Sequence, residues 1–414
     1  MVFKKYRPAK QWGKMNTRIF KEILAARNKR DMPPFRIPEA VKAAGIEIFD
    51  PNDPDFPKPR VKPEVNFQHP AFKVPSIQEH PLYNAVKCRL FDGSEAMTDG
   101  IDQACALTKT VRRNSFPEEI LQKAFHLTPE NMEDRLRDAI LAGEMYDPTL
   151  EKLPRRFDPV LFWVYYPRVH GTPVVKKNNI ILENLYRLVL LTAIQHNQLD
   201  YLRSDADEPL SATLDFGVGF EAIPLVFRSQ PHLTVQCPVP LTPWADSNEV
   251  EQTRSESVPD VTPVDPFIDL SSDHLYSKVP VLPRRRLNLC IDTVLWTREQ
   301  NQKYPWTREQ NCANAIATCF GSALAQATRH GSKATDLEKP ITTRAVQLVD
   351  GRLDLVVYQL NTLDFRPEAS KKNIVWIEPA LQLYRAKPFY ENNDNIEDLC
   401  SETFLKLLGM FLTR

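Results

Sequence analysis

Glycine is scarce in this chain, since 12 of its 414 residues are glycine, well below the roughly 7% that is usual. Loops that cradle phosphates or close around a substrate commonly need glycine, because glycine adopts positive φ values without strain. The sequence GVG at 217–219 lacks the third glycine of a dinucleotide-binding loop and continues directly into FEAIP. The chain therefore lacks the glycine-rich motifs that mark many nucleotide-binding enzymes.

Long apolar runs are also missing. No segment approaches the roughly 18 apolar residues of a membrane-spanning helix. The strongest candidate, 180–194, contains Glu183, Asn184 and Arg187. The sequence therefore predicts a soluble folded protein without a membrane span.

Catalytic and metal-binding motifs are absent as well. There is no GxSxG, P-loop or HExxH sequence, no CxxC among the seven cysteines, and no pair of histidines four residues apart. Asp269, Asp273 and His274 form a trio that we interpret as a polar loop with local side-chain bonds. We predict no enzyme activity, no cofactor and no metal site. An α/β enzyme with an unrecognised site is the alternative.

Proline, in contrast, is abundant, with 35 residues concentrated in two segments. Residues 31–81 contain eleven prolines and residues 231–283 contain nine. Proline interrupts helices and central strands because it lacks a backbone N–H donor and has a fixed φ. We predict an extended strap over 31–81 and a proline-rich loop or linker over 231–283.

The formal net charge of zero hides a strongly basic N-terminal arm. Residues 1–30 carry ten Lys or Arg residues and one acid, so the remaining chain, with 43 basic and 52 acidic residues, has a net charge of −9. Such an arm is typical of a mitochondrial transit peptide, of a segment that binds nucleic acid, or of a solvated tail. The candidate RNA-binding residues of the arm are Lys4, Lys5, Arg7, Lys10, Lys14, Arg18, Arg27, Lys29 and Arg30.

Further basic groups lie at the ends of predicted elements. Arg284, Arg285 and Arg286 directly precede a predicted strand and complete the set of candidate RNA-binding residues, because arginine makes planar, bidentate contacts with phosphate. A solvated surface is the alternative interpretation. Basic pairs with the same two interpretations occur at 112–113, 155–156, 176–177 and 371–372.

Apolar periodicity predicts a mixture of helices and strands. Short helices begin at Pro117 and, behind a Thr128 cap, at Pro129. The other predicted helices span 94–113, 177–197, 313–330 and 398–411. The predicted strands span 211–216, 222–228, 287–296, 342–349, 353–360 and 373–378.

These elements predict an α+β or α/β fold. We expect a mixed sheet with packed helices in a C-terminal unit, a helical middle region and an extended N-terminal arm. The predicted organisation is an arm or targeting segment at 1–30, the strap at 31–81, a helical and mixed unit at 82–230, the linker at 231–283 and the C-terminal unit at 284–414.

The sequence FGSALAQA within the predicted 313–330 helix is rich in small residues. Gly321 and Ala325 lie four residues apart, so they share a helix face that a neighbour can approach closely. A glycine inside a helix costs about 1 kcal/mol relative to alanine, which indicates that Gly321 relieves a steric conflict. Both residues are candidates for a protein interface, and core packing within the chain is the alternative.

The sequence WTREQN occurs twice, at 296–301 and at 306–311. We interpret the pair as a local duplication of a polar loop segment, because a repeat of this length builds no solenoid.

Several short sequence motifs resemble those of a known family. FGSALAQATRHGSK, LDLVVYQLNTLDF and KKNIVWIEPALQLY, with HPLY at 80–83 and LTKT at 107–110, resemble a family of mitochondrial ribosomal proteins that includes a paralogue once named for programmed cell death. The likeness covers the C-terminal third well and 80–200 in scattered words.

The resemblance implies a structural constituent of the mitochondrial large ribosomal subunit, in the matrix, which scaffolds rRNA and neighbouring proteins during mitochondrial translation. It implies large-subunit rRNA, other large-subunit proteins and the family paralogue as partners. A non-ribosomal mitochondrial RNA-binding factor is the alternative.

Overall fold

The computed structural model describes thirteen stretches of the chain, and it divides the chain into two units, 1–74 and 75–414. The stretches are 21–23, 36–48, 88–128, 131–145, 151–196, 202–214, 224–261, 271–272, 279–300, 303–329, 336–365, 371–391 and 395–413. In the first unit, helix α1 spans Glu39–Ala43 behind Pro38, so the expectation of an extended strap over 31–81 is wrong at these five proline-free residues. Most of the predicted strap and all nine candidate RNA-binding residues of the arm lie outside the described residues.

The second unit combines helices with strands, which confirms the predicted α+β class. Its helices are α2 (Gly100–Leu107), α3 (Glu118–Leu127), α4 (Met132–Glu144), α5 (Val174–Gln195), α6 (Ser247–Gln252), α7 (Arg308–Thr328) and α8 (Ser401–Leu412). Its strands are β1 (Cys88–Phe91), β2 (Thr110–Arg113), β3 (Glu151–Lys152), β4 (His170–Gly171), β5 (Arg203–Ala206), β6 (Leu210–Leu214), β7 (Leu225–Ser229), β8 (Leu233–Cys237), β9 (Ser271–Ser272), β10 (Cys290–Arg298), β11 (Asp336–Val349), β12 (Arg352–Thr362) and β13 (Asn373–Gln382).

A seven-stranded mixed sheet forms the centre of this unit, in the order β2-β13-β12-β11-β10-β8-β5. The pairs β2/β13 and β10/β11 are parallel, and the other pairs are antiparallel. The sheet takes strands from 82–230, from 231–283 and from 284–414. The expectation of a loop over 231–283 is therefore wrong at β8, a fully buried strand that carries no proline and is flanked by Pro231 and Pro238.

Helix α7 lies between the seven-stranded sheet and a smaller sheet. The smaller sheet has the order β6-β7-β1-β9, with β7 and β1 parallel. Buried side chains of α7, such as Ile316, Phe320 and Leu324, form one core cluster with Phe227 of β7 and Tyr358 of β12. The helix is buried on nearly all sides because a sheet covers it on each of two faces.

A second core lies on the opposite face of the seven-stranded sheet, under α3, α4, α5 and α8. Leu185 of α5 and Phe404 of α8 pack there with Trp376 of β13. The buried Arg344 of β11 donates to the carbonyl oxygen of Phe411 at 3.4 Å and lies 3.6 Å from the Asp292 carboxylate. Such contacts satisfy carbonyls that a helix C-terminus leaves without intrahelical partners.

Three predicted helix boundaries near the start of this unit are wrong, and the first is the start of the 94–113 helix, which begins at Gly100. The predicted 94–113 helix ends at Leu107, and the residues after it form strand β2, in which Val111 pairs with Ile374. Thr108 and Thr110 favour this change, since β-branched residues suit strands better than helices. Thr128 was predicted to cap the next helix, but the N-cap of α4 is Asn131. Thr128 is instead the C-cap of α3, and its hydroxyl donates to the carbonyl oxygen of Ala124.

Candidate interaction surfaces

The close neighbour of Gly321 lies within the chain. A Cβ atom on Gly321 would come within 2.9 Å of Phe227 Cβ on β7, a distance at which a side chain must move. Ala325, one turn further along α7, is fully buried. These two interface candidates therefore face the interior of the second unit, where glycine allows a strand to approach the helix backbone.

The three C-terminal RNA-binding candidates lie together in one exposed turn. Arg284, Arg285 and Arg286 are all exposed, and Arg284 adopts a φ of 49°. Arg284 Nε lies 3.3 Å from Oδ1 of Asp205, the buried carboxylate of edge strand β5. Arg203 Nε lies 3.4 Å from the same oxygen, so one carboxylate serves two guanidinium groups and this surface keeps an excess of positive charge.

Arg329, at the C-terminus of α7, holds this turn in place. Its guanidinium is buried and donates to the carbonyl oxygens of Arg285 at 3.0 Å and of Arg284 at 3.4 Å. It also donates to Leu287 and Leu289. Burial is the main cause that lowers the pKa of Arg329. Our sequence analysis did not select Arg329, although a basic residue at a helix C-terminus is a recognisable signal.

The other basic pairs have acidic or aromatic partners within the chain. Arg113 makes two bonds of 2.7 Å to Glu256, which raise the pKa of Arg113. The ion pairs Arg112–Asp102, Lys371–Glu251 and Lys176–Glu151, and stacking of Arg155 and Arg156 on tyrosines, occupy most of the remaining groups. Lys372 donates to the carbonyl oxygen of Thr253 at 2.7 Å. These contacts favour structural roles for the four pairs.

The two WTREQN copies adopt different structures and contact each other. The first copy ends strand β10, while the second begins α7 with a capping box between Thr307 and Gln310. The Arg298 guanidinium lies 3.1 Å from the centroid of the Trp306 ring, and Gln300 bonds the backbone of Trp306 in both directions. The duplication therefore forms the junction between β10 and α7.

One carboxylate is buried in a polar network beneath α7. Asp354 accepts a bond from the Ala380 N–H at 2.8 Å and one from Gln347 Nε2 at 3.2 Å. Gln347 in turn accepts from Asn314 of α7. Burial raises the pKa of Asp354 to about 7, and the two hydrogen bonds oppose that change.

The described stretches contain neither a cluster of metal-binding side chains nor a membrane-spanning helix. Among these residues, no group of three or more His, Cys, Asp or Glu side chains could hold a metal ion. None of the helices in the same stretches is long and apolar enough to cross a membrane.

Sequence comparisons identify relatives across most of the chain. The family model described as "Mitochondrial 28S ribosomal protein S30 (PDCD9)" matches residues 284–414. Large ribosomal subunit protein mL37 of Bos taurus is 27% identical over 431 residues, which cover 98% of this chain and 93% of the relative. The Rattus norvegicus protein of the same name is 30% identical over 351 residues, covering 81% of this chain and 77% of the relative.

The similarity is spread over the chain and is not confined to its C-terminal third. The mL37 protein of Gallus gallus is 25% identical over 395 residues, which cover 90% of this chain. The family model covers the segment that contains β10, α7, β11, β12, β13 and α8. These findings confirm the resemblance drawn from the FGSALAQA region, and the chain belongs to the mL37 family of mitochondrial ribosomal proteins.

Proposed function

We propose that the chain is a structural constituent of the mitochondrial large ribosomal subunit, located in the matrix, and that it has no catalytic role. The observation that carries this proposal is the match over 93% of a relative named as a large ribosomal subunit protein. Its proposed partners are large-subunit rRNA, other large-subunit proteins and the family paralogue. We propose that the paralogue packs against this chain as a pseudo-symmetric heterodimer.

The proposed mechanism is scaffolding. A body in which two sheets enclose α7 offers a stable shape to its neighbours. The arm at 1–30 would direct import, contact rRNA, or do both, and the strap at 31–81 would extend over neighbouring surfaces. In this mechanism the body is built from the 82–230 and 284–414 ranges together with β8 of the 231–283 range, so the predicted linker is in part a piece of the body.

The turn at Arg284–Arg286 is the described basic group best suited to rRNA. Its three guanidinium groups are exposed, and the Arg329 clamp fixes the backbone that carries them. A fixed backbone lowers the conformational entropy that binding costs, and arginine matches phosphate in a bidentate geometry. The exposed turn therefore supports a phosphate contact, because Asp205 neutralises at most one of its three arginines, whereas Arg113 makes two bonds to Glu256.

Sedimentation in high salt tests the proposed function. Epitope-tagged chain is followed through gradients of mitochondrial extract in about 0.5 M salt, at which non-specific phosphate contacts weaken strongly. A structural constituent stays with the large subunit under these conditions. Release at high salt would favour the RNA-binding factor, and migration as a free protein at low salt would favour the enzyme.

A further inference from the structure

The proposed function does not use an exposed apolar loop at 153–169. The short hairpin of β3 and β4 closes the loop, and the Leu153 N–H donates to the Val169 carbonyl at 3.0 Å. Leu153 is buried and packs against Gly171 of β4, so the base of the loop is packed across the hairpin.

The tip of this loop exposes several large apolar side chains side by side. Val160 is 75% exposed, Phe162 70%, Trp163 67% and Tyr165 72%. The five residues at 160–164 read VLFWV and carry no charge. Single exposed apolar residues are common, but a contiguous group marks an interaction site. Tryptophan and tyrosine are also enriched among the residues that dominate protein–protein affinity.

Asp158 gives the tip a defined shape. Its Oδ1 accepts hydrogen bonds from the backbone N–H groups of Val160 and Leu161, both at 2.9 Å. These bonds lower the pKa of the Asp158 carboxyl, with the Leu161 bond as the largest cause. The lowered pKa keeps Asp158 ionised, so the loop contains one negative charge, which the backbone N–H groups hold in place.

Two arginines brace the sides of the loop. The Arg155 guanidinium lies 3.5 Å from the centroid of the Tyr165 ring. Arg156 lies 4.6 Å from the Tyr166 ring and 4.2 Å from the Tyr390 ring, which tethers the loop to the segment before α8. Cation–π contacts of this kind restrict the side chains before a partner arrives, which reduces the ordering cost of binding.

The charge around the tip is positive. Residues 153–169 carry Arg155, Arg156 and Arg168 against Asp158, a net charge of +2, and the side chains of Arg155 and Arg168 are exposed. This arrangement, an apolar centre with a charged rim, is the usual anatomy of a protein interface and is complementary to an apolar groove with an acidic rim. An RNA strand fits less well, because the five uncharged residues at the tip neutralise no phosphate.

We propose that the loop docks the 160–164 tip into an apolar groove on another protein of the large subunit, and that carboxylates on the rim of this groove face Arg155 and Arg168. The inference rests on the proposed function, because that function supplies the neighbouring proteins. It assigns a protein contact to a segment that our sequence analysis considered only for the basic pair at 155–156.

Photo-crosslinking in the assembled subunit tests this assignment directly. Benzoylphenylalanine replaces Trp163 in the full chain, the salt-washed subunit is irradiated, and mass spectrometry identifies the crosslinked peptide. The matched control carries benzoylphenylalanine at Phe125, which is 69% exposed on α3. We expect position 163 to crosslink to a peptide of another protein that combines apolar residues with Asp or Glu, at a yield at least about tenfold above that of position 125.

Other outcomes overturn the inference. Crosslinks to rRNA, to a second copy of this chain or to residues of the same chain would identify a different neighbour of the tip. Absence of any crosslink would mean that the tip faces solvent. If the unsubstituted chain does not sediment with the subunit, the proposed function itself fails. The two failures are thus distinguishable.

Substitutions provide a second test. Phe162→Ser should weaken retention of the chain in salt-washed subunits by at least about tenfold, whereas Phe125→Ser should leave retention unchanged. Arg168→Glu should also weaken retention, because it places a negative charge against the acidic rim. Thermal unfolding of the isolated variants checks that each still folds. Equal retention of the two serine variants, or no effect of Arg168→Glu, contradicts the proposal.

Discussion

Single residues decide how closely the layers of this fold approach each other. Gly321 has no side chain, and a Cβ atom there would lie 2.9 Å from Phe227 Cβ. The glycine therefore costs helix propensity but permits the contact between α7 and the smaller sheet.

We predict that Gly321→Leu destabilises the isolated chain by about 1–3 kcal/mol or more, because overpacking displaces neighbouring side chains and backbone. Chemical denaturation measures the change in the free energy of unfolding. Removing the opposing side chain with Phe227→Ala should recover part of the loss in the double variant, since residues in contact are energetically coupled. Strictly additive effects of the two substitutions would show that this contact is not the cause.

Asp354 contributes a pH dependence that no sequence motif marks. Its folded-state pKa of about 7 exceeds the ordinary value of 3.8, so folding takes up a proton within that interval. The contribution of Asp354 to the free energy of unfolding should therefore be greatest below about pH 4 and should fall as the pH rises towards 7.

We predict that Asp354→Asn makes the free energy of unfolding less dependent on pH between about 4 and 7, by up to about 1.4 kcal/mol per pH unit. Denaturant titrations of the wild type and the variant at pH 5 and pH 7 measure this slope. Asp134→Asn, on the exposed side of α4, controls for the loss of one surface carboxylate. Parallel slopes for wild type and Asp354→Asn would refute the role of Asp354.

At the scale of elements, identical sequences adopt different structures. The two WTREQN copies both contain the Thr-x-x-Gln spacing of a capping box. Only the second forms the box, because the first pairs with β11 as the end of β10. The duplicated segment was predicted to be a polar loop, and this interpretation is wrong for the residues that belong to β10 and to α7.

The Arg284–Arg286 turn leads to a prediction at the same scale. A plot of log affinity for rRNA against log salt concentration has a negative slope. Replacing the three arginines by glutamine should make this slope less steep by about 2 to 3, since each lost phosphate contact contributes about 0.7–0.9. Salt-dependent release of the chain from purified subunits measures this slope. Glutamine at Arg137, Arg187 and Arg308, which are also exposed, provides a control with the same change in charge.

Equal slopes in the turn variant and in this control would contradict a phosphate contact at the turn. The stability of the isolated chain should change little in either variant, because exposed substitutions usually alter it by less than about 0.5 kcal/mol.

At the scale of the whole molecule, charge is unevenly divided. The arm at 1–30 carries ten basic residues, and the remaining chain has a net charge of −9. A positively charged arm attracts the phosphates of RNA, and the mildly acidic remainder of the chain can contact other proteins.

We predict that replacing residues 1–30 by a generic mitochondrial targeting sequence preserves import but reduces incorporation into the large subunit, because counterion release at the arm is lost. Quantitative mass spectrometry of purified subunits, together with total mitochondrial levels of the chain, measures the two steps separately. Wild-type incorporation of the chimera would show that the arm makes no RNA contact that assembly needs.

The amino-acid sequence by itself determined the elements with strong local periodicity. The α5 and α8 helices and strand β12 were predicted to within three residues at each end, because their apolar repeats match the helical or strand period. Helix α7 and strands β11 and β13 were predicted as elements, but one end of each lies four to six residues beyond the predicted bound. The short sequence motifs of the C-terminal third were also sufficient to recognise the family resemblance.

Only the tertiary structure decided which distant segments meet. Strand β8 fills a place between β5 and β10, and β2 extends the sheet beside β13, although local patterns predicted a loop and a helix there. Contacts far apart in the chain likewise set the neighbour of Gly321, the clamp of Arg329 on the arginine turn and the pKa of Asp354. These properties depend on burial and on pairing partners, and a local pattern carries no information about the residues that will surround it.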